Sequence, residues 1–374
     1  MIPPFCPNRR CGHHHSPKEE MWYMRNGTYT TGASGEVKRF VCRTCGSGFS
    51  EQTFSLDYAV KRKISYQHIF MQLKASGGIR TIARDFGVTH KVILNRCFRL
   101  SRQAIALHSV LQAHLSLAEN LAADGFESFV QSQYRPNNIH ILVGSDSQFL
   151  YGIDYAHLKR KGRMTVVQKN RRAELEELFI SGKRTITTSF SSIVEMIEHL
   201  VLSRNSESIT LFTDEKPQYS TCLRKSSLLS SLAALQQFSH VQISSRKKRT
   251  VRNPLFPVNY MDREIRKDCA NHVRETMQYS RSVSGCMARL AVYRMYHNYC
   301  KPYRIDDPAK RNICHAEAAG ITAKAISDEL RTFFTRRRFL SRVKLCWSDA
   351  LIWLRGLADP GRLSAQYCPG YVWD

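Results

Sequence analysis

The sequence predicts a multidomain α/β protein, and three patterns predict it. Four cysteines stand in two close pairs near the start of the chain. Two short amphipathic stretches follow, hinged on a glycine. From about residue 117, strand-like and helix-like segments succeed one another. A chain of 374 residues is expected to hold two or three domains. Its 43% hydrophobic and 23% charged residues supply enough apolar material for real cores and exclude wholesale disorder. The patterns divide the chain at 1–54, 55–116, 117–305 and 306–374.

The 56 Lys and Arg outnumber the 31 Asp and Glu and leave a net charge of +25. A cation of this size calls for a polyanionic partner, and nucleic acid is the abundant one; the bland alternative is a basic surface kept for solubility. No run of about 18 apolar residues exists, which argues against a membrane span. The opening MIPPFCPNRRC has no apolar signal core, so a cytoplasmic protein is expected.

The front end is read from its cysteines. Cys6 and Cys11 form one pair and Cys42 and Cys45 the other, the second at Cys-x-x-Cys-Gly spacing. Each pair can aim two thiolates at one point, and four thiolates brought together by a hairpin make a tetrahedral site suited to structural Zn²⁺. Arg25–Gly32 and Val37–Val41 read as the hairpin strands, completing a zinc ribbon; unliganded cysteines are the alternative. His13, His14 and His15 are expected on the solvated surface. The remaining eight cysteines are scattered through helical or apolar contexts, as free thiols in a reducing compartment are.

A helical stretch is expected from Ser55 to Leu73, ending before Ser76-Gly77-Gly78. Ile79, Ile82, Ala83 and Phe86 then mark one face of a short helix. Gly87 gives the turn, Val88 plugs the angle, and Thr89 is placed to cap a second helix with Val92, Ile93 and Cys97 inside. This is the pattern of a helix-turn-helix, whose second helix enters the major groove. His90, Lys91, Asn95 and Arg96 are its DNA-facing candidates, and an ordinary helical hairpin is the competing reading.

Three antiparallel strands are expected next, over Ala122–Val130, Asn138–Gly144 and Gln148–Ile153. A charged helix over Thr165–Phe179, a helix near Ser191–Leu202, a strand over Ser208–Thr213 ending at Asp214, and a strand over His240–Ser244 come after. A long helix is expected from about Asn259 to Ser280. Three meander strands, helices, an acid ending the fourth strand, a fifth strand and a long helix describe an RNase H-like domain with a central mixed sheet. Its chemistry uses carboxylates gathered at one end of the sheet to hold two Mg²⁺ (or Mn²⁺), hard cations that take oxygen ligands. Asp124 and Asp214 are the expected first two acids.

On these segments the chain resembles bacterial insertion-sequence transposases of the DDE class. The segments are the Cys-Pro-Asn ribbon, the helix-turn-helix, Asp124-Gly-Phe-Glu-Ser-Phe, Thr213-Asp214-Glu-Lys-Pro-Gln-Tyr219, Ser280-Arg-Ser and His297-Asn-Tyr-Cys-Lys-Pro-Tyr-Arg. The resemblance runs from Cys6 to about His315 and carries the first two metal-binding aspartates onto Asp124 and Asp214. Such families often show Asn-x-x-Glu-Arg for the third acid, and Asn259-Tyr-Met-Asp262-Arg263 fits if Asp replaces Glu. Asp262 lies 36 residues before Asn298 and Glu275 only 23, which favours Asp262; Glu275 and Glu264 remain alternatives.

The resemblance implies binding of terminal inverted repeats in double-stranded DNA, metal-dependent strand cleavage, and transfer of the freed 3′-hydroxyls to target DNA. Two ends cut together imply a homodimer or larger assembly, in the cytoplasm at the nucleoid. The alternative is a domesticated, inactive transposase acting as a DNA-binding regulator. Three basic runs, Lys159–Lys161, Arg246-Lys247-Lys248-Arg249 and Arg336–Arg338, are expected to contact phosphates. Asp146 and Asp154 are expected to serve turns, and Glu127 to face away from Asp124. His297, Cys300, Cys314 and His315 are expected to pack rather than bind metal, and the helical C-terminal region runs from Ile321 to Leu357.

Overall fold

The structure, a computed structural model, describes residues 3–17, 21–177, 184–244, 246–273, 276–359 and 366–373. Its front end starts with a single helical turn, α1 (Gly12–His15). β1 (Tyr23–Thr31), β2 (Gly35–Cys42) and β3 (Gly48–Ser50) then form an antiparallel sheet in that order. The register slips between Arg25 and Thr28, around Gly27 in the left-handed region at φ +71°. These strands are mostly polar, and so small a sheet is marginal alone. Aromatic packing supplies what the strands lack: Phe5, Trp22, Phe40, Phe49 and Phe54 cluster under it, and Phe339 joins them from the C-terminal region.

α2 (Tyr66–Lys74), α3 (Ile79–Asp85) and α4 (His90–Gln112) follow. The helix expected from Ser55 begins eleven residues later, at Tyr66, after the Ser65 cap whose hydroxyl accepts the His68 N–H. Residues before it are held by distant partners instead. The Leu56 carbonyl accepts from Arg99 and from the Tyr66 hydroxyl, and its N–H donates to Thr335. Gly87 adopts φ +58° at the α3–α4 turn, as its position requires. Thr89 holds the cap position, but its side chain makes no capping bond.

The central sheet contains β4 (Leu121–Phe129), β5 (Pro136–Gly144) and β6 (Leu150–His157) as an antiparallel meander. α5 (Val166–Glu177) buries no residue, and the Phe179 end of the expected helix lies outside the described residues. α6 (Ile186–Leu202) leads into β7 (Ile209–Asp214), then α7 (Pro217–Lys225), α8 (Ser227–Ala234) and β8 (Phe238–Ile243). The strand order is β6-β5-β4-β7-β8, with β7 and β8 parallel to β4, so the sheet is mixed.

α9 (Phe256–Asp268) is much shorter than the helix expected to reach Ser280. A 3-10 turn at Ala270–His272 replaces its continuation, because His272 is buried and bonds the Ser128 hydroxyl on β4. α10 (Val283–Tyr299) is buried along nearly its whole length and packs along α4. α11 (His315–Ala318), α12 (Ala323–Leu330) and α13 (Trp347–Trp353) follow, so the C-terminal region is only partly helical.

Side chains on β4 and β5 alternate between two apolar cores, as period two requires. Leu121, Ala123 and Leu142 meet α6 and α7. Ala122, Phe126, Ile139 and Ile141 meet α4, α9, α10 and α13. Both cores include residues of α4, so the helical front end and the sheet are packed together. Among the described residues, no helix is long and apolar enough to cross a membrane.

Candidate functional site

Parallel pairing puts Ala123 of β4 beside Thr213 of β7, and this register sets Asp124 next to Asp214. β7 ends at Asp214 while β4 runs on to Phe129, so the two carboxylates sit where a neighbouring strand stops and space opens. Asp124 is on the same face as Ala122 and Phe126, which pack against α9, the helix that carries Asp262. The three aspartates expected from the sequence therefore converge on one face.

One side chain absent from the sequence reasoning joins two of them. Lys216 Nζ lies 2.9 Å from Asp124 Oδ1 and 3.1 Å from Asp214 Oδ2. The Tyr219 hydroxyl donates to the same Asp124 oxygen at 3.4 Å. Pro217 starts α7 immediately after Lys216, and its fixed φ aims the first turn of the helix back at the site. Tyr219 then reaches Asp124 from five residues beyond Asp214, which gives the Thr-Asp-x-x-x-x-Tyr spacing a physical meaning.

Beneath Tyr219 lies buried His140, edge-on to its ring and bonded to Ser189 and Asn138. Burial first, then the Lys216 and Arg184 charges, depress its imidazole to about 3, so it stays neutral. Gly125 is needed here because a Cβ would stand 2.1 Å from the Asn138 amide nitrogen.

Burial, reinforced by Asp124, raises the Asp214 carboxyl above its usual range, against the pull of Lys216. Burial and Asp124 likewise push Asp262 up to about 7, while Arg266, Lys216 and Arg249 oppose the rise. Asp214 and Asp262 thus resist ionising beside Asp124 unless a cation compensates them. Their hard oxygen donors suit a divalent ion such as Mg²⁺.

Of the two alternatives for the third acid, the described one is engaged elsewhere. Glu264 is two residues beyond Asp262, about 200° around the helix, and forms ion pairs with Lys301 and Lys267. Glu275 lies outside the described residues. Glu127 is exposed; it pairs with Asn138 in the β4–β5 ladder, and its backbone carbonyl accepts from Arg266.

The four N-terminal cysteines form a second centre. Among the described residues they are the one group of three or more His, Cys, Asp or Glu whose ligand atoms all lie within 4.8 Å of one another. The aspartates are set more widely. Cys6 and Cys45 sulfurs are 3.6 Å apart, and those of Cys11 and Cys42 3.8 Å. Tetrahedral coordination with Zn–S bonds of about 2.3 Å needs sulfurs about 3.8 Å apart, so the cluster can bind zinc. Burial raises the Cys6 thiol, whereas at Cys45 burial is overcome by the combined bonds with Ser47, Cys6 and Cys42, which lower it to about 6. His14 is not the surface residue expected. It is buried, bonding the Cys6 carbonyl at 2.7 Å and Ser341 at 2.9 Å.

The basic candidates divide by exposure. His90, Lys91 and Asn95 are exposed on the first turns of α4. Arg96 is turned inward, donating to the Arg62 carbonyl at 2.8 Å and covering the Tyr66 ring, so it does not face a DNA groove. Arg246, Lys247, Lys248 and Arg249 are exposed. Lys159, Arg160 and Lys161 line a groove of about 840 Å³ that also takes in Gly125 and Lys216.

Two side chains of the Arg336–Arg338 run have structural partners instead. Arg337 stacks on Tyr58, Phe339 and Tyr371, and Arg338 pairs with Glu329. Asp146 occupies a turn as expected, but Asp154 lies buried in mid-strand, paired with Arg184 and bonded by Ser348. His297 and His315 stack at 3.9 Å and bond the Gln148 and Ser147 carbonyls, which is the packing role expected of them.

No protein-family model matches the chain, and no curated protein matches it either.

Proposed function

We propose that the protein is a DDE-class DNA transposase. On this reading the five-stranded sheet is RNase H-like, α2–α4 are a helix-turn-helix and the four-cysteine unit is a zinc ribbon. The observation that carries it is the convergence of Asp124, Asp214 and Asp262, from two adjacent strands and one helix, beside a basic groove. These acids would hold Mg²⁺ or Mn²⁺, which when bound activates an attacking oxygen and stabilises the leaving oxygen of a phosphodiester.

The chain's own residues do the rest. Lys91, His90 and Asn95 on the exposed start of α4 read the terminal inverted repeat. Lys159–Lys161 and the Arg246–Arg249 run hold the phosphate backbone and counter the repulsion between DNA and the acids. Two ends must be processed together, so the working form is a homodimer or larger assembly on double-stranded DNA. Mg²⁺-dependent joining of a labelled end duplex, abolished by Asp214→Ala without loss of binding, tests the reading.

A second reading is a DNA-binding regulator descended from such an enzyme. One observation favours it: the Lys216 ammonium already bridges Asp124 and Asp214 and offsets one of their two charges.

A further inference from the structure

Lys216 poses a geometric conflict. Its ammonium is within hydrogen-bond distance of one oxygen from each of two carboxylates, at 2.9 and 3.1 Å. A Mg²⁺ shared by those carboxylates needs oxygens at about 2.1 Å, so ion and ammonium cannot occupy the same space. The side chain also donates to the Tyr219 hydroxyl at 3.2 Å, yet it is 32% exposed and forms part of the wall of the groove beside the site. Lys159, Arg160 and Lys161 line the same groove, with Glu127 the only acid among its described lining residues. An ammonium moved into that groove meets like charges unless an anion enters with it.

We propose that Lys216 is an internal counter-cation that a divalent ion displaces from Asp124 and Asp214 into the adjacent groove, where it takes up a nucleic-acid backbone phosphate. This rests on the transposase reading of the site. In the metal-free protein the ammonium offsets part of the charge of the two acids. Metal binding frees a cation for DNA, and bound DNA stabilises the displaced cation, so each ligand tightens the other by the same factor. Lys216 thereby acts as a positioning residue that couples metal loading to DNA engagement.

The test is Mn²⁺ titration of the full chain by calorimetry, with and without a short duplex. In wild type, the duplex should tighten Mn²⁺ binding about tenfold, within the usual range of couplings. Lys216→Met should bind Mn²⁺ about tenfold more tightly than wild type without DNA, because the competitor is gone, and should lose the coupling. Lys216→Arg should keep it. Lys216→Gln, a neutral side chain that still hydrogen-bonds the acids, replaces the Met variant if that one fails to fold. Folded Met or Gln variants that bind Mn²⁺ no more tightly than wild type overturn the proposal. Asp124→Asn separates this outcome from failure of the broader reading. If Asp124→Asn loses Mn²⁺ while Lys216→Met matches wild type, the counter-cation role alone is wrong. If Asp124→Asn binds Mn²⁺ as wild type does, the acids are not a metal site and both fall.

Discussion

Asp262→Asn should make the metal-free protein more stable at alkaline pH, which is unusual for a change at a half-buried polar residue. Burial and the neighbouring Asp124 push the carboxyl from 3.8 up to about 7. A folded-state value above the unfolded one means that ionisation costs the folded state. The cost is absent below about pH 4, grows as pH rises, and is complete above about pH 7. Taken at face value the rise corresponds to about 4 kcal/mol. Partial solvent access to the side chain screens this, and about 2 kcal/mol is the expected gain on removing the charge. For a chain of this length, that is a few degrees in melting temperature. The assay is thermal melting of both proteins in a chelating buffer at pH 4 and pH 8. The curves should coincide at pH 4 and separate at pH 8, with Asp262→Asn higher. Adding Mn²⁺ at pH 8 should raise wild type more than the variant. If Asp262→Asn melts at or below wild type at pH 8 without metal, the crowding of three acids is wrong.

Two further changes address the other functional elements. Cys42→Ser should release zinc and, on the proposed function, weaken binding to element ends while the circular dichroism of the central sheet persists, since the aromatic cluster beside the four cysteines is separate from the two cores of the sheet; stoichiometric zinc in the purified variant would sink the four-cysteine assignment. Replacing Lys159, Arg160 and Lys161 together with alanine should lower affinity for duplexes of any sequence and reduce the salt slope of binding by about 2 to 3. An unchanged slope would remove the groove from the DNA path.

Much of the sheet was legible because its strands announce themselves. Asn138-Ile-His-Ile-Leu-Val-Gly is rich in β-branched residues between turn signals, and Asp124 and Asp214 sit at recognisable points of such segments. Asp262 was singled out through spacing, and α9 packs on the sheet face that carries Asp124. What the sequence hid were long-range partners. Nothing near Asp154 announces Arg184 or Ser348, and nothing near Arg96 shows that the Arg62 carbonyl will claim it. Arg337 reads as a free cation until Tyr58, Phe339 and Tyr371 are seen around it.

Helix lengths failed for a related reason. α9 stops because His272 finds Ser128 on β4, 144 residues earlier in the chain. α10 escaped notice because it is buried all round, which erases the one-sided periodicity by which helices are recognised. Its Arg294 is hidden by a two-oxygen ion pair to Asp349 on α13, so it reads as surface charge when it is core. Lys216 was in view within the Thr-Asp-x-x-x-x-Tyr segment, but only the β4–β7 register reveals that it bridges two acids.

The central claim is that Asp124, Asp214 and Asp262 carry out phosphodiester chemistry on DNA ends. A labelled duplex bearing one terminus of the element, incubated with Mg²⁺ and target DNA, tests it most directly. Wild type should cleave and join the end, and Asp214→Ala should bind the duplex equally well while joining none of it. Equal joining by the two proteins, or none by either while both bind, would contradict the claim.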